Sequence, residues 1–262
     1  MIPGGGARVL ALDVGRVDRP VVRLVLKRHV NPVWIAMEPD MAEREARTLG
    51  WLDDAGVPAP RLVAVDSRGA ACGTPAILMT RIPGRSRFRA LERRGRLASL
   101  AERLLQIHAL RAPAEARVAP YFRYAHASTS PPAWSAHRAE WRRAIAMAAT
   151  LPPFVPTFIH RDYHPSNVLW RGDDIRGVID WVNASIGPPQ IDVGHFRANL
   201  MWLAGRRLAD AWVEACVRAG VLGDYNPRWD LVIAVDFLSA EWMSDRDRRA
   251  LERLMLAGLG PG

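Results

Sequence analysis

The stretch "HRDYHPSNVLW" (residues 160–170) places two histidines, an arginine, an aspartate and an asparagine directly ahead of an apolar run. A second apolar run, "IRGVID" (175–180), follows after the residues "RGDD". Turn residues between two short apolar runs predict a β-hairpin. Such a hairpin brings Asn167, at the start of its first strand, close to Asp180, at the end of its second.

Three interpretations of this stretch are open: a metal site, an ordinary solvated turn, or a loop that handles phosphate groups. His160 and His164 are four residues apart, the spacing by which a helix presents two zinc ligands on one face. Pro165 and the strand that follows disfavour a helix, and the glutamate of such zinc sites is missing. The sequence therefore disfavours a zinc site.

The predicted hairpin favours the phosphate-handling loop over a plain turn. Asp162 precedes Asn167 by five residues, so its carboxylate comes near Asn167 and Asp180 without sequence contiguity. Carboxylate and amide oxygens suit Mg²⁺, which takes few protein ligands and keeps waters and phosphate oxygens.

A single lysine stands out among the 36 lysines and arginines. Lys27 ends "PVVRLVLK" (20–27), a β-branched run that predicts a strand. The stretch 40–56 predicts a helix that Asp40 caps, and the i, i+4, i+7 spacing of Glu45, Leu49 and Leu52 places Glu45 beside its buried stripe. Because an inward-facing carboxylate needs a cation, Lys27 is its predicted partner.

The remaining pattern changes from strands to helices along the chain. Further strands are predicted within 8–14, 56–66 and 74–84, and helices within 97–110, 134–149, 200–220 and 230–258. Ahead of the first strand, the glycine-rich turn "PGGGA" (3–7) leaves backbone N–H groups free to approach phosphates. These elements predict a strand-rich N-terminal part, a hinge near 80–86 and a helical C-terminal part.

Composition excludes some classes of protein. The net charge of +9 would suit a nucleic-acid-binding protein, but the basic residues are spread along the chain without an interleaved aromatic motif, so we expect no nucleic-acid partner. Cys72 and Cys216 lie too far apart to indicate a disulfide framework. Neither a signal peptide nor an apolar run of roughly 18 residues is present, so a cytoplasmic protein without a membrane partner is expected.

The pattern H-x-D-x-x-x-x-N, followed by a hairpin and an aspartate, resembles the catalytic signature of kinases. Together with "GVIDW" and "GPPQIDVGHF", it is similar to the aminoglycoside phosphotransferase family. Lys27, Glu45, "LMTRIPG" (78–84) and "HAL" (108–110) fall in the family's order, so the resemblance covers most of the chain. Trp181 follows Asp180 where protein kinases have Phe-Gly, which argues against a protein kinase.

The resemblance implies an α+β, two-lobed protein-kinase-like fold. Residues 1–84 would form the nucleotide-binding lobe, a small antiparallel sheet with one main helix. Residues 85–262 would form a larger, mostly helical lobe with the catalytic loop and acceptor pocket. Within the helical lobe, the candidates for contact with the acceptor are Glu140, Trp141, Trp202, Asp236 and Trp242.

The implied activity is transfer of the γ-phosphoryl group of ATP or GTP to a hydroxyl of an aminoglycoside-like or other small acceptor. Asp162 would be the catalytic base, and Asn167 and Asp180 would hold Mg²⁺. Lys27, held by Glu45, would neutralise the phosphates. The other residues that would contact the nucleotide are Gly4, Gly5, Gly6, Met79, Thr80, Arg81 and Ile82.

The resemblance also implies structural roles for two residues near Asp162, and two other functions are possible. His160 and Asp192 would brace the loop around Asp162. A catalytically silent, nucleotide-binding scaffold of the same fold is the main alternative, although the complete set of Lys27, Asp162, Asn167 and Asp180 speaks against it. A nucleic-acid-binding protein is the other, and it rests on charge alone.

Overall fold

The structure is a computed structural model that describes residues 6–16, 19–86, 91–93, 95–123, 129–238 and 243–260. Among the predicted site residues, Gly4, Gly5 and Trp242 lie outside this part of the chain. The chain divides into two units. The first unit comprises Met1–Ser86, Leu110–Ala119 and Ser166–Ala184. The second unit comprises Arg87–Ala109, Pro120–Pro165 and Ser185–Gly262. The first unit therefore includes the predicted hairpin, far beyond residue 84 in sequence.

The first unit is built on a four-stranded antiparallel sheet. Its strands are β1 (Ala7–Arg16), β2 (Arg19–His29), β3 (Leu62–Asp66) and β4 (Ala76–Thr80), in the order β1-β2-β4-β3. Lys27 on β2 pairs with Val9 on β1 and Ile77 on β4. Because side chains alternate along a strand, Val25 shares the face of Lys27, and its partner Met79 lies on that face too.

Two helices follow the second strand: α1 (Pro32–Met37) and α2 (Met41–Leu52). The buried face of α2 includes Glu45, Leu49 and Leu52, as the spacing predicted. The predicted side-chain cap by Asp40 is wrong, since this residue makes no cap hydrogen bond. Its carboxylate lies 3.6 Å from Nε of Arg44, a cation one turn further on that competes for it.

The predicted hairpin is present in the first unit as β6 (Val168–Arg171) and β7 (Asp174–Val178). Gly177 of β7 requires the absence of a side chain, because a Cβ there would meet Ile82 and come within 3.0 Å of the Pro58 carbonyl oxygen. The Val178 N–H donates to that same oxygen at 2.9 Å. This close approach ties the hairpin to the chain around β3 and β4.

The second unit is mainly helical. Its described residues form the helices α3 (Arg96–His108), α4 (Arg138–Ala148), α5 (Gln190–Leu203), α6 (Arg206–Arg218), α7 (Arg228–Phe237) and α8 (Asp245–Leu259). The strands β5 (Thr157–Ile159) and β8 (Ser185–Gly187) pair antiparallel. Helix α5 contacts α6, α7 and α8 and is buried on nearly every side. It therefore forms the centre of this unit.

Helices are present within both 200–220 and 230–258, as predicted, and each region holds parts of two helices. The region 200–220 contains the end of α5 and then α6, separated at Gly205, whose φ of 85° suits glycine. The region 230–258 contains most of α7 and then α8. Ser244 starts α8 with a capping box, in which its hydroxyl accepts from Asp247 N–H.

The predicted fold class, an α+β fold with a small antiparallel sheet and a larger helical part, is confirmed. Large aromatic side chains fill the interior, among them Trp181 in the first unit and Trp141, Trp212 and Trp229 in the second. Within the described part of the chain, no helix combines the length and the apolar character that a membrane crossing requires.

Candidate active site

The first unit contains a buried charge cluster around Lys27. The Lys27 Nζ atom lies 2.7 Å from Oε2 of Glu45, so the contact predicted from the sequence is present. The same Nζ lies 2.6 Å from Oδ1 of Asp180, a second partner that was not predicted. Lys27 and Glu45 are buried, whereas 37% of the Asp180 side chain is exposed. Asp180 is therefore the member of the cluster that faces solvent.

Electrostatics keep Lys27 charged in this cluster. Burial lowers the pKa of an ammonium group, but the carboxylates of Asp180 and Glu45 more than offset burial and raise the pKa of Lys27 above its usual value. For Glu45 the balance is reversed: burial raises its pKa, and Lys27 opposes that shift only in part. The cluster thus presents a fixed positive charge with one accessible carboxylate beside it.

Trp181 fixes the backbone that carries Asp180. Asp180 has left-handed backbone angles (φ 70°, ψ 61°), and the turn Trp181–Asn183 that follows packs against α2. The Trp181 side chain is fully buried, its indole N–H donates to the Val178 carbonyl at 2.9 Å, and its backbone N–H bonds to Glu45. In the sequence, Trp181 stood out only as a departure from protein kinases, and its anchoring contact was not predicted.

Asn167 lies at the other end of the hairpin in the first unit. It closes the short turn Pro165–Asn167 just before β6, and its backbone carbonyl accepts from the Ile179 N–H at 2.9 Å. The hairpin therefore brings Asn167 next to the residue that precedes Asp180, as predicted.

The donor chemistry of this pair fits Mg²⁺. One amide and one carboxylate are hard oxygen donors, and Mg²⁺ usually takes one or two such groups with waters and phosphate oxygens. Among the described residues, no group of three or more His, Cys, Asp or Glu side chains could hold a metal ion. His160 and His164 therefore do not belong to a zinc-type cluster of ligands among the described residues.

The predicted nucleotide-contact residues of the first unit lie on or after β4. Met79 is buried, and the backbone N–H groups of Thr80 and Arg81 donate to the carbonyls of Arg61 and Arg23 at 2.9 Å each. These two N–H groups are thus used within the unit, and Ile82 packs against the glycine of β7 described above.

Gly6 lies just ahead of β1. Its carbonyl accepts from the Val30 N–H at 2.9 Å, which ties it to the end of β2. A Cβ at Gly6 would make only ordinary contacts with Trp34, so the position does not require glycine for space.

Asp162 belongs to the second unit, on the loop after β5. Its Oδ1 lies 3.1 Å from Nε2 of His195 and 3.6 Å from Nε2 of His164. Burial raises the pKa of the Asp162 carboxyl, but His164 and His195 together outweigh burial and hold it well below its usual value. The carboxylate is therefore ionised at neutral pH and suited to accept a hydrogen bond.

Asp192 braces the backbone of this loop. Its two carboxylate oxygens accept from the N–H groups of Arg161 (2.6 Å) and His160 (3.0 Å), and His108 Nε2 lies 2.9 Å away. The bracing contact predicted for Asp192 is thus present. Arg161 itself has a left-handed backbone (φ 66°), and its buried side chain packs over the ring of Phe122 and donates to the carbonyl of that residue.

His195, which contacts Asp162, was not singled out from the sequence. The available signal was its position three residues after Asp192, which puts both side chains on one face of a helix. That signal needed the helix to begin before residue 192, and α5 was not predicted there.

The acceptor-pocket candidates are mostly engaged in contacts within the second unit. Trp141 is fully buried and packs edge-on against Trp134. Asp236 pairs with Arg123 at 2.6 Å, and the Trp202 indole donates to the Asp247 carbonyl at 3.2 Å. Trp141 therefore belongs to the core rather than to a pocket wall.

A model of the phosphotransferase enzyme family matches residues 4–231. Solved structures with similar folds include aminoglycoside and macrolide phosphotransferases. A ternary complex of a thermostable mutant of APH(4)-Ia, an aminoglycoside phosphotransferase, with ADP and hygromycin B has a TM-score of 0.67 and 17% identity, and covers 100% of this chain and 93% of that one. The GDP and kanamycin complex of APH(2")-IIia has a TM-score of 0.64 and 17% identity, over 94% and 92% of the two chains.

The macrolide 2'-phosphotransferase MphH from Brachybacterium faecium has a TM-score of 0.62 and 18% identity, over 100% of this chain and 91% of that one. None of the curated proteins matches the chain. Similarity at these identities establishes the fold, and it agrees with the fold predicted from the motif at 160–170.

Proposed function

The chain belongs to the phosphotransferase enzyme family, and on that premise we propose that it is a small-molecule kinase. It would transfer the γ-phosphoryl group of ATP or GTP to a hydroxyl of an aminoglycoside-like or other small acceptor. The observation that carries the proposal is the cluster of Lys27, Glu45 and Asp180, with Asn167 on the same hairpin as Asp180.

The first unit supplies the groups proposed to bind the nucleotide. Asn167 and Asp180 would hold Mg²⁺, which, when bound, neutralises charge on the phosphates. Lys27 would bind phosphate oxygens directly, and Glu45 would keep its ammonium in place. Phosphoryl transfer relies mainly on such positioning and charge neutralisation, so this set is chemically sufficient on the nucleotide side.

Asp162 is the proposed base on the acceptor side. Because its carboxylate is ionised, it would accept a hydrogen bond from the acceptor hydroxyl and orient the oxygen toward the γ-phosphorus. The new bond joins the acceptor oxygen to the γ-phosphorus. The bond from that phosphorus to the β-phosphate oxygen breaks, the nucleoside diphosphate leaves, and the hydroxyl proton passes to Asp162.

The acceptor class is proposed from the chemistry of related structures. Kanamycin and hygromycin B are aminoglycosides, and a macrolide phosphotransferase shares the fold as well. These structures also contain GDP in one case and ADP in another, so both ATP and GTP are retained as donors. A net charge of +9 gives no general support for a polycationic acceptor.

The proposal is tested by Mg²⁺-dependent nucleotide consumption with ATP and GTP across kanamycin, hygromycin B, a macrolide, choline and sugar alcohols. We expect acceptor-stimulated turnover that chelation of Mg²⁺ abolishes and that Asp162→Asn lowers by orders of magnitude. Asp174→Asn, at an exposed aspartate that begins β7, is the matched control and should keep full activity.

Other results would change the conclusion. Absence of turnover with every acceptor, combined with thermal stabilisation by Mg²⁺-nucleotide, would support a silent scaffold of the same fold. Turnover that Asp162→Asn leaves unchanged would remove Asp162 from the role of base.

A further inference from the structure

His195 on α5 makes a direct polar contact with the side chain of Asp162. Its Nε2 lies 3.1 Å from Asp162 Oδ1, within hydrogen-bond range, and the residue is only 7% exposed. His164 Nε2 lies further away, at 3.6 Å from the same oxygen. Of the two histidines, His195 therefore makes the shorter contact with this oxygen.

The imidazole ring of His195 is held on two sides. It stacks on the ring of His164, with centroids 5.8 Å apart and planes 22° apart, and it meets the ring of Phe237 on α7 edge-on at 5.1 Å. A ring fixed in this way presents Nε2 in one direction. An ionised carboxylate can only accept, so the nitrogen that faces it must carry the proton.

One face of α5 serves both the backbone and the side chain of the loop. Asp192 accepts from the backbone N–H groups of His160 and Arg161, immediately before Asp162. His195 lies three residues later on the same face and contacts the Asp162 carboxylate itself. The same helix thus fixes where the Asp162 backbone lies and how its carboxylate is rotated.

We propose that His195 is a positioning residue for Asp162: its Nε2–H holds Oδ1 so that the carboxylate meets the acceptor hydroxyl in a single orientation. This inference rests on the proposed function, because orientation of Asp162 matters only if Asp162 meets an acceptor. It assigns a catalytic consequence to a histidine outside the 160–170 motif.

Two substitutions separate donation from packing. His195→Phe keeps a ring to stack on His164 and meet Phe237, but it removes the donor. His195→Gln keeps an N–H group at the distance of Nε2 and removes the ring. With the best acceptor from the panel, we expect His195→Phe to lower kcat by about 10²-fold at unchanged KM for the nucleotide, since misplaced catalytic groups cost rates of that order.

His195→Gln should restore most of the lost kcat. The matched control is His137→Phe, at a histidine just before α4 whose side chain is 43% exposed, which should change neither kcat nor KM. The opposite pattern, full activity in His195→Phe together with loss of activity and of melting temperature in His195→Gln, would overturn the proposal in favour of simple packing.

A second measurement does not depend on turnover. The ring ¹⁵N resonances of His195 report which nitrogen carries the proton, and we expect Asp162→Ala to shift the Nε2 resonance. Unchanged resonances would overturn the hydrogen bond on which the inference rests. Absence of turnover in the unmodified chain would instead overturn the proposed function, and the positioning role with it, whatever the resonances show.

Discussion

The ammonium of Lys27 lies 2.7 Å from the carboxylate of Glu45, and both side chains are almost fully buried. A buried ion pair of this kind gives little net stability while it is intact, but loss of one partner leaves an uncompensated charge. This asymmetry makes the pair sensitive to single substitutions.

Lys27→Met should therefore destabilise the first unit. We expect the free energy of unfolding to fall by about 3 kcal/mol, because Glu45 is left buried without its cation. Urea denaturation measures the change, and Arg23→Met, an exposed position on the same strand, is the control expected to have little effect. The double variant Lys27→Met, Glu45→Gln should recover much of the loss. A double variant no more stable than Lys27→Met would contradict this account.

Asp230 in the second unit should make stability depend on pH. Burial raises the pKa of its carboxyl to about 6, although Arg197 and Tyr225 oppose that shift. Since the folded-state pKa lies above the unfolded value, the stabilisation is complete at pH below about 4 and is lost as pH rises through about 6.

The measurement is urea unfolding at several pH values between 4 and 7 for the unmodified chain and for Asp230→Asn. Relative to Asp230→Asn, the unmodified chain should lose on the order of 3 kcal/mol across this range, from a shift of about two pKa units. Parallel pH dependences of the two proteins would show that Asp230 does not titrate in this window.

Two substitutions of Arg161 should separate the contributions of its backbone and its side chain to stability. Its left-handed φ of 66° destabilises any residue with a Cβ atom by about 1 kcal/mol, and glycine is free of this strain. Arg161→Ala loses the hydrogen bond to Phe122 and keeps the backbone strain, whereas Arg161→Gly loses the bond and relieves the strain. Both should be less stable than the unmodified chain, with Arg161→Gly the more stable of the two. Equal stability of the two variants in thermal unfolding would contradict the strain argument.

Gly177 and Gly50 should respond to alanine in opposite directions. A Cβ at Gly177 meets Ile82 and the Pro58 carbonyl, so Gly177→Ala should cost about 1–3 kcal/mol and weaken thermal stabilisation by Mg²⁺-nucleotide. Gly50 is exposed on α2, and a Cβ added there would have no atom within 4 Å, so Gly50→Ala should gain up to about 1 kcal/mol. Chemical denaturation of both variants is the check, and a stabilised Gly177→Ala would be inconsistent with the close approach.

The local sequence pattern was sufficient to predict side-chain positions that depend on one helix or one hairpin. Glu45 falls on the buried stripe of a helix, which repeats every 3.6 residues. Asn167 and Asp180 flank a hairpin that its turn residues predict, so the positions of these side chains followed from their spacing. The motif and its resemblance supplied the fold class. The catalytic and ligand-binding roles of these residues stay predictions.

Contacts between distant segments were harder to predict. The contact between His195 and Asp162 depends on α5, a helix that begins at Gln190 and that was not predicted ahead of residue 200. The cap at Asp40 failed for a local reason, since Arg44 one turn away competes for the carboxylate. Helices lie within 200–220 and 230–258 as predicted, but the breaks at Gly205 and Ser244 did not follow from the pattern, because apolar periodicity continues across them.

The buried anchor at Trp181 bears on how such an enzyme is controlled. Where the segment after a metal-binding aspartate is free to swing, the aspartate can be withdrawn and an enzyme turned off. Here the segment after Asp180, the proposed Mg²⁺ ligand, is fixed by a fully buried indole and by a backbone bond to Glu45. Withdrawal of Asp180 would require the removal of a tryptophan from the interior. We therefore expect a constitutive enzyme, whose output follows the supply of nucleotide and acceptor rather than an internal switch.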